Sequence, residues 1–548
     1  MDDRYLTTQL IAYIGNKRAL IPFLKDVFID LDKQHPVTRF SDPFAGSGAV
    51  SRLGKALGFS VLANDWETYS YIINSCHIGV DKSKIDGMFL ANGGVEAVFE
   101  GLQGLPPLKT GYISTYFAPD STERADYRRE RLFYTRENGI FIDTVREGIE
   151  DLYPGWDLSP VQLREKQVLL AALLYQAATH ANTSGVFKAY HKGFGGHGGD
   201  ALSRITRPMQ LQQPVLIDGA GPCFVTAMDA AEAVAGKSFD LCYLDPPYNQ
   251  HQYGSNYHLL NTIAKWDKPD QPLTLDPDGS LANKGGIRKD WKLTRSDFCY
   301  RNKSVPAFRK LLDGIDARYI VLSYNTEGIM PYEEMLAILS ERGNVRLYSS
   351  EYVTYRGGRQ SISRKTHNVE FLLVCNTAEP VKSGSKAAIS RFLLENKLRS
   401  LMRNPFYPEK ITRVFPCSNE KVRLFGSFLV LPMEHYLYFS GFPEKGELDK
   451  LTDEQLCSVY NDLASCVIEN KFEECSVLLA ILDNCRVERD NKIKSLERRF
   501  VRAYRKIAHK KYITKYQEIT RRIDVRKLIF FQSEVDRIHE IAEKRFKG

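Results

Sequence analysis

The ten cysteines of this 548-residue chain include no CxxC pair, which argues against a zinc site and against a disulfide framework. No stretch approaches the ~18 consecutive apolar residues that a membrane span needs. The amino-terminal residues lack the basic, apolar and small-residue order of a signal peptide. His191 and His197 flank glycines and show no ligand spacing. We therefore expect a cytoplasmic protein with no metal and no membrane contact.

Acidic residues are scarce only at the end of the chain. Residues 486–548 contain 20 Lys and Arg against 9 Asp and Glu, a balance of +11, whereas residues 1–485 contain 55 against 58. Within this tail Leu496, Phe500 and Tyr504 recur at helical spacing, which predicts an amphipathic helix with a basic outer face. Positive charge concentrated in this way indicates a surface for a polyanion.

Apolar runs of strand length, each ending in turn residues, recur along the chain. They are Val37–Asp42, Phe59–Asp65, Cys223–Asp229, Phe239–Asp245, Arg318–Asn325, Val345–Tyr355 and Val369–Cys375. The first four end in aspartate and are followed by helical patterns, which is typical of an α/β fold with a mostly parallel seven-strand sheet. Ligands of such sheets bind beyond the carboxyl ends of the strands. The short basic stretch between the last two runs predicts a hairpin.

The length exceeds what one core usually supports, so we expect more than one domain. Residues 1–80 and 216–378 are predicted to form the Rossmann-like catalytic core. Residues 81–215 are too long for a βαβ connection and are predicted to be an inserted helical and loop region, with a helix at Pro160–Ala178. Residues 385–548 are predicted to form a mostly helical, basic C-terminal domain.

The stretch "SDPFAGSGAV" places Gly46 and Gly48 between a strand and a helix, where a tight turn lets the backbone approach a ligand. Dinucleotide, nucleotide and sulfonium cofactors all use such loops. Asp65 ends the next strand, where a carboxylate can accept hydrogen bonds from a ribose diol. Because there is no third glycine and no GK[ST] phosphate loop, a nucleoside without a pyrophosphate fits better, and S-adenosylmethionine is one.

Two more stretches carry chemistry, although each has an ordinary structural reading. "YIGNKRAL" is a turn into a helix, but beside the glycine loop Tyr13 can stack on a ligand and Lys17 can meet a carboxylate. "DPPY" is a proline-capped strand end. Its Asp245 side chain and Pro246 carbonyl can also accept the two hydrogens of an adenine amino group while Tyr248 stacks on the ring, which favours the pyramidal nitrogen formed during methyl transfer.

In their order along the chain, Tyr13–Lys17, Asp42–Gly48, Asp65 and Asp245–Tyr248 resemble the alpha-group, Dam-like DNA adenine-N6 methyltransferases. The segments 182–187, 248–264 and 321–330 are similar to FokI-type modification methylases. The resemblance covers roughly residues 8–376. It implies a class I S-adenosylmethionine-dependent methyltransferase fold and site-specific methylation of a flipped-out adenine in double-stranded DNA. It also implies either the modification component of a restriction-modification system, whose cognate restriction endonuclease would act separately, or an orphan relative of such a component.

The resemblance also implies which residues form the site. The cofactor-binding residues would be Tyr13, Lys17, Asp42, Phe44, Gly46, Gly48, Asp65, Asp229 and Asp245. The catalytic residues would be Asp245, Pro246, Pro247 and Tyr248. The chain departs from the family in the Gly- and His-rich "KAYHKGFGGHGG", where a Lys-rich loop is expected, and after about residue 385, where no counterpart is recognised.

DNA contacts are expected from three places. The insertion at about 81–215 is a candidate for target recognition, and so is the loop 355–367, whose Arg356, Arg359 and Arg364 have the chemistry to recognise guanine. Phosphate contacts are expected from the tail cations Arg498, Arg499, Arg502, Arg505, Lys506, Lys510 and Lys511. The tail also fits a solvated or dimerising helix, or a surface for another protein. Methylation of RNA or of a protein amide, and a catalytically silent nucleic-acid-binding scaffold, stay open as alternatives.

Overall fold

In a computed structural model, the chain is described at residues 3–196, 199, 201–325, 328–350, 370–484, 491–526 and 528–547. It divides into two compact units, Met1–Lys386 and Ala387–Gly548. The described residues include no helix that is both long and apolar enough to cross a membrane. They also include no group of three or more His, Cys, Asp and Glu side chains placed to hold a metal ion.

The first unit is built on one sheet, to which the described residues contribute seven strands. These are β1 Arg39–Asp42, β2 Ser60–Asn64, β3 Phe224–Thr226, β4 Ser238–Leu244, β5 Asp316–Asn325, β6 Asn344–Ser350 and β7 Glu370–Asn376. Their order is β3-β2-β1-β4-β5-β7-β6, and only β7 runs antiparallel to its neighbours. This confirms the mostly parallel class I methyltransferase sheet and the antiparallel pairing of the last two strands. Residues 351–369, which connect those strands, lie outside the described residues.

Helices cover both faces of the sheet, so the central strands read as continuous apolar runs. The helices of the first unit are α1 Asp3–Thr7, α2 Ile21–Gln34, α3 Ala49–Ala56, α4 Thr68–His77, α5 Val95–Gln103, α6 Tyr112–Tyr116, α7 Arg136–Leu152, α8 Pro160–Thr179, α9 Leu202–Thr206, α10 Ala230–Val234, α11 Tyr253–Asn256, α12 His258–Lys265, α13 Ser304–Asp313 and α14 Tyr332–Ser340. Phe40, Leu241 and Val321, on β1, β4 and β5, are fully buried.

The chain between β2 and β3 forms a helical layer with its own apolar core. Its longest helix, α8, begins after the Ser159 cap, whose hydroxyl accepts from the Gln162 amide. Phe133, Ile142 and Leu170 are fully buried in this core together with residues of α4 and α12. The predicted helix at Pro160–Ala178 is therefore present, extended by one residue at its end.

The second unit combines helices with a small sheet. Its helices are α15 Ser383–Leu401, which begins at the boundary, then α16 Pro408–Val414, α17 Lys445–Leu448, α18 Asp453–Ser465, α19 Lys471–Asn484, α20 Asn491–Ile507, α21 Ile513–Arg526 and α22 Gln532–Lys547. Leu496, Phe500 and Tyr504 of α20 are buried, as their spacing predicts. The small antiparallel sheet, which the sequence did not predict, contains β8 Cys417–Ser418, β9 Lys421–Phe425, β10 Leu429–Glu434 and β11 Tyr438–Phe439.

Candidate active site

A cavity of about 470 Å³ opens at the carboxyl ends of β1, β2 and β4, where the order of strands reverses. Residues from every predicted motif line it: Tyr13, Phe44, Asp65, Asp229, Asp245, Pro247 and Tyr248. An adjoining cavity of about 20 Å³ shares Tyr13, Phe44 and Asp245 and adds Lys17, Asp42 and Gly46. Of the predicted site residues, Gly48 and Pro246 line neither cavity.

The glycine loop is tight because side chains occupy the space beside its backbone. Gly46 has a φ of +51°, and a Cβ there would lie 2.7 Å from Cε1 of Tyr13. Gly48, which caps α3, has a φ of +80°, and a Cβ there would lie 2.5 Å from Oδ1 of Asn74. Gly46 therefore lets the Tyr13 ring lie against the loop, and Gly48 serves the turn without lining the cavity.

The carboxylates at the strand ends differ in their surroundings. Asp42 is almost fully buried. Burial, with Asp245 and Asp65 nearby, raises its pKa to about 7, although its Oδ2 accepts a 2.7 Å hydrogen bond from the Ser51 hydroxyl. Oδ1 of Asp42 is buried with no hydrogen-bond partner among the described residues.

Asp65, at the end of β2, organises its own loop. Its Oδ2 accepts a 2.8 Å hydrogen bond from the Gly46 amide and its Oδ1 accepts a 2.9 Å hydrogen bond from the Glu67 amide. Burial raises its pKa, and these amide donors act against that rise. Asp65 thus ties the glycine loop to the start of α4 while it lines the cavity.

Lys17 is buried beside the "DPPY" motif. Its Nζ is 3.1 Å from Oδ1 of Asp245 and 5.2 Å from the centroid of the Tyr248 ring. Both the lysine and the carboxylate line the small cavity. The cation predicted to meet a ligand carboxylate is therefore paired with Asp245, the carboxylate predicted to be catalytic.

Tyr13 is held in place by other tyrosines. Its ring stacks on Tyr257 with centroids 4.9 Å apart, and the Tyr253 ring lies 5.2 Å away. The Tyr257 hydroxyl accepts a 2.7 Å hydrogen bond from the amide of Ile14. Because Tyr253 and Tyr257 lie just after "DPPY", this cluster connects the two motifs across the cavity.

Asp229 follows β3 and caps α10, where its Oδ1 accepts a 3.0 Å hydrogen bond from the Ala231 amide. It lines the cavity with its neighbours Met228 and Ala230. This places Asp229 on the same wall as Asp65, although the two residues are far apart in sequence.

Sequence reasoning missed two parts of the cavity wall. Trp66 and Glu67 line it directly after Asp65, and their adjacency to that residue was the only signal for them. Burial raises the pKa of Glu67 to about 7, and its Oε2 accepts a 2.5 Å hydrogen bond from the Asn261 amide. The other part comes from residues between 294 and 311, which contain no recognised motif.

Only some of the residues predicted to contact DNA are among the described residues. Arg356, Arg359 and Arg364 in the loop 355–367 lie outside the described residues, and so does His197. In the tail, the Arg499 guanidinium lies 4.0 Å from the centroid of the Tyr438 ring and 3.3 Å from Glu434, and Arg505 lies 3.5 Å from Glu534. These two arginines thus make contacts within the second unit itself.

Comparison with known proteins gives one family and several relatives. The model of the family described as D12 class N6 adenine-specific DNA methyltransferase matches residues 13–334. The Type II methyltransferase M.NlaIII of Neisseria lactamica is 32% identical over 349 residues, which is 63% of this chain and 93% of that protein. The modification methylase LlaI of Lactococcus lactis subsp. lactis is 27% identical over 66% of this chain and 54% of its own length. The Type II methyltransferase M.FokI of Planomicrobium okeanokoites is 26% identical over 73% of this chain and 60% of its own length.

Proposed function

The chain belongs to the D12 class of N6 adenine-specific DNA methyltransferases, and we propose that its cavity is where a methyl group is transferred to adenine. The methyl donor is S-adenosylmethionine, and the acceptor is the exocyclic amino group of an adenine extruded from double-stranded DNA. The cavity with the "DPPY" motif in its wall carries this proposal. We also propose that the protein acts in the cytoplasm. Its role there would be that of the modification component of a restriction-modification system, since one relative is named a modification methylase.

The cavity fits a nucleoside cofactor that carries positive charge. Its volume of about 470 Å³ lies in the range of small-molecule pockets. Asp65 and Asp229 on one wall can meet the ribose and the base, with the rings of Phe44 and Trp66 beside them. The buried, unpartnered Oδ1 of Asp42 fits a ligand ammonium group. When bound, this cofactor supplies an electrophilic methyl group on a sulfonium sulfur.

The protein contributes acceptors and position, because an adenine amino group needs no strong base. The Asp245 carboxylate and the Pro246 carbonyl accept its two hydrogens and favour the pyramidal nitrogen of the transition state. Tyr248 stacks on the extruded base. Lys17 holds the Asp245 carboxylate through their 3.1 Å ion pair. Much of the rate comes from holding the two reacting groups at near-attack distance.

We propose that the insertion takes part in target recognition and that the C-terminal unit contacts DNA or a partner protein. Support for the second assignment is the balance of +11 in residues 486–548. Arg502 and Lys506 on α20 are exposed, and none of the ion pairs within the described residues involves them. Such cations suit phosphate contacts, which position a protein on DNA without specifying sequence.

The first experiment measures transfer of radiolabelled methyl from S-adenosylmethionine to unmethylated duplex DNA, with total RNA in parallel. We expect label on adenine in DNA only. Asp245→Ala should lower the rate at least 100-fold, since it removes one acceptor from the transition state. Asp245→Asn keeps one oxygen acceptor and should retain more activity than the alanine variant. Single-molecule sequencing of the product then gives the recognition site. Label in RNA alone, or equal activity of Asp245→Ala and the wild type, contradicts the proposal.

A further inference from the structure

The cavity has a rim that no recognised motif supplies. We call residues 289–303, between α12 and α13, the rim segment. Two short 3₁₀ turns, Lys289–Thr294 and Asp297–Cys299, shape it. Seven of its residues line the cavity: Thr294, Arg295, Ser296, Asp297, Phe298, Asn302 and Lys303. The rim segment is therefore part of the reaction chamber and not a remote surface loop.

The inner side of the rim segment is firmly attached to the catalytic core. Phe298 is buried and packs edge-on against Phe44 of the glycine loop, with ring centroids 5.4 Å apart. Gln252 makes paired hydrogen bonds with Ser296, accepting from its amide at 2.8 Å and donating to its carbonyl at 3.0 Å. These contacts give the outer side of the segment a defined position at the cavity mouth.

The outer side is strongly basic. Residues 288–310 contain eight Lys and Arg against two Asp, a balance of +6, although residues 1–485 as a whole are slightly acidic. Lys292, Arg301 and Lys310 are exposed, and no ion pair among the described residues involves them. The guanidinium of Arg295 lies 4.8 Å from the centroid of the Trp291 ring. Part of this charge, on Arg295, Lys303 and Lys310, lines the cavity itself.

An apolar side chain projects from the middle of this basic surface. Leu293 is 78% exposed, more than any other large apolar side chain of the described residues. A single exposed leucine is ordinary on a protein surface. This one follows Lys292 and precedes Thr294 and Arg295, which line the cavity. DNA-bending proteins insert such apolar side chains between base steps that they unstack.

We propose that the rim segment receives the duplex around the target adenine, with Leu293 filling the space that the adenine leaves and Lys292, Arg295 and Arg301 meeting the adjacent phosphates. This inference rests on the proposed function and assigns residues to the extrusion of the adenine, the step that precedes methyl transfer. Extruding a base costs a few kcal/mol, which is least for a base that is already unpaired. The wedge and the phosphate contacts offset that cost.

The wedge is tested with Leu293→Ala on two duplexes that contain the recognition site. In one the target adenine is paired with thymine, and in the other it faces an abasic position. We expect the variant to methylate the paired duplex about tenfold more slowly than the wild type and the unpaired duplex at the wild-type rate. Cofactor affinity, measured by equilibrium dialysis, should not change. The matched control is Leu275→Ala, an exposed leucine that does not line the cavity.

Equal losses on both duplexes, or a variant that behaves like Leu275→Ala, would overturn the wedge. A target 2-aminopurine adds an independent signal, because extrusion raises its fluorescence. We expect that rise to be smaller with Leu293→Ala than with the wild type. A wild-type protein that methylates neither duplex contradicts the proposed function itself, so the two failures are distinguishable.

The phosphate contacts are tested by the salt dependence of DNA binding. Lys292→Gln and Arg301→Gln should each lower the slope of log K against log salt by about 1 and leave cofactor affinity unchanged. The control is Lys33→Gln at the end of α2. Because α2 leads into the amino end of β1, Lys33 lies at the edge of the sheet opposite the cavity. An unchanged slope in both rim variants would overturn the assignment of phosphates to this surface.

Discussion

Glu67 is a buried carboxyl group in the cavity wall, where the Asn261 amide and the Thr294 hydroxyl meet it. Burial is the largest influence on this group and raises its pKa from 4.5 to about 7, while these hydrogen bonds act in the opposite direction. The protein therefore holds a proton there that the unfolded chain releases near pH 4.5. This costs stability as the pH rises.

We expect Glu67→Gln to remove that cost. The contribution of Glu67 to the free energy of unfolding is complete below pH 4.5 and is lost as the pH rises through about 7, a loss of ~3 kcal/mol. The wild-type melting temperature should therefore fall more between pH 5 and pH 8 than that of the variant, whose amide can keep the contact with Asn261. Thermal melts of both proteins across this range check the direction in which stability changes with pH. Parallel curves would contradict the raised pKa.

Gly155 provides a matched control for a substitution at Gly46 of the glycine loop. Both have a positive φ, +51° and +61°, but a Cβ on Gly46 would meet Tyr13 at 2.7 Å whereas one on Gly155 would meet nothing within 4 Å. Each alanine variant should lose about 1 kcal/mol of stability from the backbone conformation. Only Gly46→Ala should also weaken cofactor binding, by at least tenfold, because Tyr13 must move. Equal cofactor affinity in the two variants would remove Tyr13 from the binding site.

At the scale of elements, the sequence predicted the central sheet well and the second unit poorly. The strands of the sheet are buried on both faces, so each is a continuous apolar run that is visible in the sequence. The strands of the small sheet are short: Cys417–Ser418 and Tyr438–Phe439 have two residues each, too few to show a period. Such strands exist through their tertiary contacts and not through local preference.

The sequence predicted one part of the site and missed another. Residues in compact motifs, such as Asp245 and Gly46, were identified because their spacing has few other uses. The wall from 294 to 311 was not, because tertiary contacts, such as the packing of Phe298 on Phe44 and the hydrogen bonds between Gln252 and Ser296, bring its residues to the cavity. The cofactor and catalytic roles assigned to single residues stay predictions until the variants are measured.

Two arginines of helix α20 differ in their surroundings, and this difference can be tested. Arg499 packs on the Tyr438 ring and pairs with Glu434, whereas Arg502 is exposed. Arg499→Ala should destabilise the second unit by about 1 kcal/mol through lost packing, which corresponds to about fivefold faster hydrogen exchange along α20. Arg502→Ala should leave exchange unchanged and weaken DNA binding. The reverse pattern would contradict the assignment of Arg502 to phosphate contact.

At the scale of the whole molecule, the residues that line the cavity lie between Tyr13 and Leu311, all within the first unit. Residues 486–548, with a balance of +11, lie in the second unit. Cofactor binding and general affinity for DNA are therefore expected to separate along the chain.

A chain that ends at Lys382, before α15, tests this separation. It should bind S-adenosylmethionine with the affinity of the full chain, because no cavity residue is lost. Its affinity for nonspecific duplex should fall, with a shallower dependence on salt, because phosphate contacts are lost. Calorimetry with the cofactor and fluorescence anisotropy with DNA give the two constants. An unchanged DNA affinity would favour a partner protein as the ligand of the second unit.

The insertion between β2 and β3 also affects the timing of biosynthesis. β1 has its partner β4 about 200 residues later in the chain, and the ribosome needs roughly 10 to 40 s to add that many. Until β4 is made, the edge of β1 that pairs with it has no partner strand, and open strand edges can recruit other chains. The helices of the insertion are made during the same interval, before α12, which shares their apolar core and follows β4 in the chain. The nascent polypeptide therefore contains the whole insertion before the central strands β1 and β4 can pair.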